Sequence, residues 1–195
     1  MRRIIIYFNL LLLYCTVNSY AQIFENSAIK FGGVLAFQVG HQAPRFGISF
    51  GISKDIFSWD NFTISSELSY IQKGYSSDLN IPTNESYQIR SNNKLEYLSL
   101  IVYGRMRIGG AISNTNTYLI CGLTNNYFLD SRYGRENYKK STIGLLAGIG
   151  GEINISAPFK IIIEFVINND LSRATKTITR ELRNTTLELK SGIKF

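Results

Sequence analysis

No stretch of this 195-residue chain is long and apolar enough to cross a membrane as a helix. Its longest apolar run, Ile4 to Tyr14, falls short of the about 20 residues such a helix needs, so a helical membrane protein is not expected. Cysteine is scarce as well, with Cys15 falling in a candidate leader and Cys121 then standing alone. No disulfide can form within the remainder, and the fold must rest on hydrogen bonds and packing. Histidine occurs once, as His41 between Gly40 and Gln42, without a second His or Cys at metal-ligand spacing. Neither a metal centre nor a cofactor is expected. Clustered charge is missing too: the basic residues are scattered, which argues against a nucleic-acid surface.

What is present begins with a three-part N-terminus: Arg2 and Arg3, the apolar run to Tyr14, and the small-residue pattern Ser19-Tyr20-Ala21. This reads as a secretory signal over residues 1–21, leaving one domain over 22–195. The lipoprotein alternative, Leu12-Leu13-Tyr14-Cys15, places a bulky Tyr where a small residue should precede the lipidated Cys. Loss of Arg2 and Arg3 takes Lys+Arg from 21 to 19 against 14 Asp+Glu, so the formal charge falls from +7 to +5.

The remainder alternates. From Phe46 to Ser53 every even position is large and apolar (Phe46, Ile48, Phe50, Ile52) and every odd one is Gly or Ser. A period of two describes a strand with two unlike faces. The pattern recurs at Phe62 to Tyr70 and at the end of the chain, where Leu187, Leu189, Ile193 and Phe195 oppose Glu188, Lys190, Gly192 and Lys194. Weaker candidates lie at Ile29 to Val39, Leu95 to Arg107, Thr117 to Leu129, Thr142 to Ile153 and Phe159 to Asn169. Eight strands of about ten residues are the length that tilted strands need to cross a bilayer. The connections sort alternately, with short ones at Lys54 to Asn61, Ile108 to Asn116 and Ser156 to Pro158. Longer polar ones fall at Gly74 to Asn93, Asp130 to Ser141 and Ser172 to Asn184; Gly40 to Arg45 alone breaks the order. Short periplasmic turns and long outer loops are the habit of outer-membrane barrels.

Alternation also suits a soluble lipocalin-like barrel, which turns its apolar face inward. Three features favour the opposite orientation, with Phe46, Ile48, Phe50, Ile52, Leu187, Leu189 and Ile193 facing lipid. The polar face mixes Gly and Ser with isolated charges, a composition suited to a narrow lumen. There Glu67, Lys73, Arg105, Glu152, Lys160, Glu164, Glu188 and Lys190 would form a ladder of pairs. Aromatic residues fall near strand ends (Phe57, Trp59, Tyr70, Tyr75, Tyr127, Phe128, Phe159), as amphipathic rings at head-group level would. The last residue, Phe195, resembles the terminal signal read by the barrel insertion machinery. An open strand edge in hydrocarbon would strand its N–H and C=O groups, so the end strands must pair. Phe31 to Val39 is expected antiparallel to Leu187 to Phe195. The fold expectation is therefore all-β: an eight-stranded antiparallel up-and-down transmembrane β-barrel in a bacterial outer membrane, in contact with its lipid.

Five segments carry a family resemblance: Glu67-Leu68-Ser69-Tyr70-Ile71-Gln72-Lys73-Gly74, Leu95-Glu96-Tyr97-Leu98-Ser99-Leu100, Cys121-Gly122-Leu123, Ile143-Gly144-Leu145-Leu146-Ala147-Gly148-Ile149-Gly150, and Gly192-Ile193-Lys194-Phe195. On these the chain resembles the Bacteroidetes outer-membrane β-barrel family that includes the PorT-like proteins. It departs at Ile101, Val166 and Asp170, where that family usually has Pro, Arg and Gly. The resemblance implies an eight-stranded outer-membrane barrel and, for PorT itself, a part in gliding-associated protein secretion.

Chemistry is hard to find. A hydrolase would need His41 with loop residues of common type such as Ser76, Asp78 or Ser131, and a solvated loop histidine is the simpler reading. The lumen carboxylates could act as a general acid and base, but the available cations favour a structural ladder. Cys121 reads as a small strand filler. Gly144-x-x-x-Gly148-x-Gly150-Gly151 lacks the Lys-Ser/Thr of a phosphate loop and thins a strand instead. Asn-x-Ser/Thr matches at Asn61, Asn84, Asn154 and Asn184 carry no meaning in a bacterial barrel. The functional expectation is a non-enzymatic structural or surface-interaction protein, meeting a surface or periplasmic protein partner through Tyr75 to Asn92, Tyr133 to Lys140 and Arg173 to Arg183. Alternatives are a small porin-like diffusion channel, a membrane-embedded enzyme at His41, and a soluble carrier.

Overall fold

The computed structural model describes residues 25–38, 43–80, 88–108, 115–131, 138–156, 159–172, 174 and 183–195, with backbone alone for 75–80, 88–93 and 156. The leader at 1–21, Cys15, His41 and Asn84 lie outside the described residues. Eight strands make up the architecture: β1 (Ser27–Gln38), β2 (Arg45–Trp59), β3 (Phe62–Asn80), β4 (Gln88–Arg107), β5 (Thr115–Ser131), β6 (Ser141–Ser156), β7 (Phe159–Asp170) and β8 (Asn184–Lys194). Each pairs antiparallel with its sequence neighbours, and β1 pairs with β8 to close the barrel. Closure gives every strand two hydrogen-bonded neighbours, the condition for sheet in a solvent without donors or acceptors.

The β1–β8 seam joins the expected strands in the expected sense, in a register running from Ala28 opposite Lys194 to Gln38 opposite Asn184. Phe31 thus meets Ser191, and Phe31–Gln38 lies against Asn184–Ser191 rather than against the whole of Leu187–Phe195. Face alternation fixes register only to parity, since any slip by two residues leaves each side chain on its own face. Two strands also run further than their apolar patterns. β2 continues through Lys54 to Trp59, where a turn was expected, with a register break between Asp55 and Phe57. That extra residue reverses the parity, so Asp55 stays at the lumen while Phe57 and Trp59 stand exposed. β3 and β4 continue through most of the expected loop Gly74 to Asn93, pairing from Gly74 opposite Lys94 to Asn80 opposite Gln88. Those segments are polar and lack two-faced alternation, so periodicity could not reveal them.

The faces are inverted relative to a soluble protein. Phe46 is 80% exposed, Ile48, Phe50, Ile52, Leu189 and Ile193 are exposed, and Leu187 is half-exposed, whereas Lys30, Glu67 and Glu188 are at most 2% exposed. Aromatic side chains Phe57, Trp59, Phe62 and Phe159 are exposed around the end with the short turns, and Tyr127 near the other end. Phe128 departs from the rim assignment: it is buried, with its ring 5.6 Å from Tyr97 and 5.2 Å from Tyr138. Phe128 is in phase with the inward Tyr118, Ile120, Thr124 and Asn126, and the strand's register break comes only beyond it, between Tyr97–Phe128 and Glu96–Asp130.

Glycine on β6 makes room for this interior. A Cβ on Gly150 would lie 2.5 Å from the ring of Tyr118. Gly150→Val is therefore expected to displace that ring and to cost about 1–3 kcal/mol by overpacking, read as a lowered urea midpoint for unfolding from micelles.

Candidate functional site: the filled lumen

Because alternate residues of all strands point to one axis, the lumen is built in layers. At the end carrying the short turns, Asn26 and Phe195, four side chains alternate in charge around a ring. Arg105 donates to Asp55 and to Glu152 (2.6 Å), and Lys194 donates to Asp55 (2.7 Å) and to Glu152 (3.0 Å). Lys160 approaches Glu152 at 3.7 Å from a half-exposed position.

Above the ring sits a second network. Lys30 donates to Glu164 (2.8 Å), to the Tyr103 hydroxyl (2.8 Å) and to Glu67 (3.2 Å), while Lys190 donates to Glu67 (2.8 Å). Tyr118 adds a hydrogen bond to Glu164, and Glu188 accepts one from Thr186 while approaching Lys190 at 3.4 Å. Removed from water, such charges persist only when each meets an opposite charge and its remaining donors or acceptors are bonded.

An apolar collar follows, made by Ile101, Ile120, Leu146 and Val166 on four successive strands. Beyond it Lys73 pairs with Asp170 (3.0 Å), which also accepts from Asn126 and Asn184. Leu95, Tyr97, Phe128 and Tyr138 then pack together near the long-loop end, with the Lys73 ammonium 5.3 Å from the Tyr97 ring centroid.

All eight ladder residues expected from the sequence line the interior or its mouth. They do not form one ladder: Lys73 belongs to the upper pair, Glu67, Glu164, Glu188 and Lys190 to the middle network, and Arg105, Glu152 and Lys160 to the lower ring. Four partners were missing. Lys30 was legible from Ile29-Lys30-Phe31, where one cation interrupts two outward apolar residues. Alternation places Lys194 on the polar face without giving it a role, Asp55 falls inside the expected turn, and Asp170 lies one residue past the expected strand.

This arrangement can hold the barrel rigid and shut. The cavity beside the apolar collar measures only ≈ 10 Å³, about room for one water centre. Each carboxylate of the lower ring, and both Glu67 and Glu164, already accepts from a cation, as structural ion pairs do. Among the described residues no group of three His, Cys, Asp or Glu side chains is placed to hold a metal ion. Cys121 lies in β5 but on the exposed outer face, and Gly144 to Gly151 lie within strand β6. Of the residues of the hydrolase alternative, His41 lies outside the described ones, Ser76 and Asp78 are given by backbone alone, and Ser131 is half-buried at the end of β5.

No protein-family model matches the chain, and no curated protein matches its sequence. Among solved structures it is similar to neisserial surface protein A, NspA, with 16% identity and a TM-score of 0.55 over 88% of this chain and 98% of that one. OprG of Pseudomonas aeruginosa (10% identity, TM-score 0.45, 88% and 96% covered) and Ail of Yersinia pestis (14%, 0.43, 88% and 99%) are also similar. At such identities likeness speaks for fold, and here the first of the three carries it. With the eight-stranded fold of bacterial outer-membrane barrels, an apolar exterior and an ionic interior, the chain is an outer-membrane β-barrel.

Proposed function

We propose that this barrel is a closed, non-enzymatic scaffold that holds a β-ribbon at the cell surface for a protein partner. The observation that carries this reading is the overreach of β3 and β4. The last β2–β3 pair is Ser49–Ile71 and the last β4–β5 pair is Leu95–Ser131, yet β3 and β4 stay paired to Asn80–Gln88. From Gly74 to Asn80 that ribbon spans about 20 Å at roughly 3.3 Å per residue. It takes up most of the contact region expected at Tyr75 to Asn92. Of the other expected contact segments, Tyr133 to Lys140 and Arg173 to Arg183, most residues lie outside the described ones, and the described Tyr138 and Ala174 are buried.

The resemblance to PorT-like proteins supports a partner drawn from a protein-secretion assembly, and the packed lumen supports a scaffold over the diffusion channel. In the folded barrel the backbone of Phe195 is bonded to Asn26 (3.0 Å) and Ser27 (2.9 Å), and its ring meets Phe159 edge-on. Recognition of Phe195 by insertion machinery therefore belongs to the state before the seam closes. Phe46, Ile48, Phe50, Ile52, Leu187, Leu189 and Ile193 are the proposed lipid contacts, and the buried charge networks hold the lumen shut.

The test is to replace residues 76–92 by a two-residue Asn-Gly turn. Folding and stability in micelles should change by no more than about 0.5 kcal/mol, as for surface changes generally, while photo-crosslinking of whole cells should lose the partner band. An unchanged crosslinking pattern, or steady ion current from the purified barrel in planar bilayers, would overturn the reading.

A further inference from the structure

The lower ring forms the floor of a cavity of ≈ 270 Å³ at the short-turn end of the barrel. Its walls include Asn26, Thr63, Asn116 and Tyr118, and it reaches the β2–β3 turn at Asp60 and Asn61. Short turns mark the periplasmic end of such barrels, so the cavity faces the periplasm.

Its two buried carboxylates are already engaged by cations. Both oxygens of Asp55 are taken: Oδ1 by Arg105 and the Ser65 hydroxyl (2.8 Å), Oδ2 by Lys194. Oε1 of Glu152 accepts from Arg105 and Lys194, and its Oε2 faces Lys160. The cations are not so satisfied. Arg105 is 6% exposed, and its Nε is buried without a hydrogen-bond partner. Among the described residues Lys160 has no carboxylate oxygen nearer than 3.7 Å, and the guanidinium of Arg107, which also lines the cavity, has no ion-pair partner. Four cations (Arg105, Arg107, Lys160, Lys194) stand against Asp55, Glu152 and the exposed turn residue Asp60.

We propose that this cavity is a periplasmic binding pocket for an oxyanion of the phosphate class, held by Arg105, Arg107 and Lys160. Charge-assisted N–H donors converging on one space suit an anion carrying several acceptor oxygens. A cation entering the same space would find both buried carboxylates occupied. The phosphate can come from a small solute, or from a phospholipid head group of the inner leaflet, since the exposed aromatic Phe57 on the cavity wall lies at the rim.

The test uses inorganic phosphate, titrated into isotope-labelled barrel in maltoside micelles, which hold no phosphate of their own. Amide resonances of Thr63, Asn116 and Tyr118 should shift and saturate. In the double variant Arg107→Gln/Lys160→Gln, which leaves the four-membered ring intact, affinity should fall by at least about tenfold, the scale of one lost charge-assisted contact. Repetition in phospholipid nanodiscs separates the sources: weaker apparent phosphate binding identifies the head group as competitor, and unchanged binding identifies a free solute. Shifts that never saturate, affinity equal in the double variant, or saturation by magnesium ions in place of phosphate would overturn the proposal. None of these outcomes bears on the surface ribbon, which lies at the opposite end of the barrel.

Discussion

Replacement of Lys30 by Met is expected to destabilise the barrel by about 3–5 kcal/mol, the range for breaking a buried ion pair from one side. The ammonium bridges Glu67 and Glu164 and also donates to Tyr103. Without it Glu67 keeps Lys190, but Glu164 keeps only the Tyr118 hydroxyl, a neutral donor for a buried carboxylate. The loss should therefore be specific to charge. Lys30→Met combined with Glu164→Gln should recover more than half of the stability, because the uncompensated charge leaves together with its partner. Urea unfolding from micelles measures both. Equal losses in the single and double variants would mean that packing of the lysine stem, and not its charge, matters.

The second large effect concerns the outer face. Ile163 lies midway along the outward run Phe159, Ile161, Ile163, Phe165 and Ile167 of β7, flanked by Gly151 and Ser191 on the neighbouring strands. It is 47% exposed. On a water-facing surface Ile163→Arg would be close to neutral, within about 0.5 kcal/mol. In a bilayer it should cost about 2–4 kcal/mol, as a cation near the midplane of a barrel does. Lys190→Met on the adjacent strand, which removes a charge, should also destabilise. Opposite tolerance on the two faces is what separates this barrel from a soluble one of the same topology.

Much of this was legible in the sequence because alternation survives wherever lipid meets one face and the lumen the other. Phe46 to Ser53 shows the strand and its two unlike faces. Legibility stops where that contrast stops. The ribbon from Gly74 to Asn80 rises past the lipid, so nothing demands an apolar side, and its strands look like loop. The break at Ile56 shifts parity without leaving a compositional mark, which hid Asp55 and with it one corner of the lower ring. Phe128 misleads for a different reason: an aromatic residue near a strand end serves equally as a rim anchor or as a plug, and its parity with Thr124 and Asn126 turns it inward. The separation of the charges into three layers was beyond reach, because partners such as Lys30 and Glu164, 134 residues apart, meet only once strand tilt and register are set.

The account rests on which side of the wall the apolar residues occupy, and fluorescence can report it directly. The chain has a single tryptophan, Trp59. In a Trp59→Phe background, Ile163→Trp would place one indole on the outer face of β7, in bilayers whose acyl chains carry bromine at defined depths. Strong quenching, greatest with bromine near the bilayer centre, together with protection from aqueous iodide, is the predicted result. Quenching by iodide with no response to brominated lipid would contradict a membrane-spanning barrel.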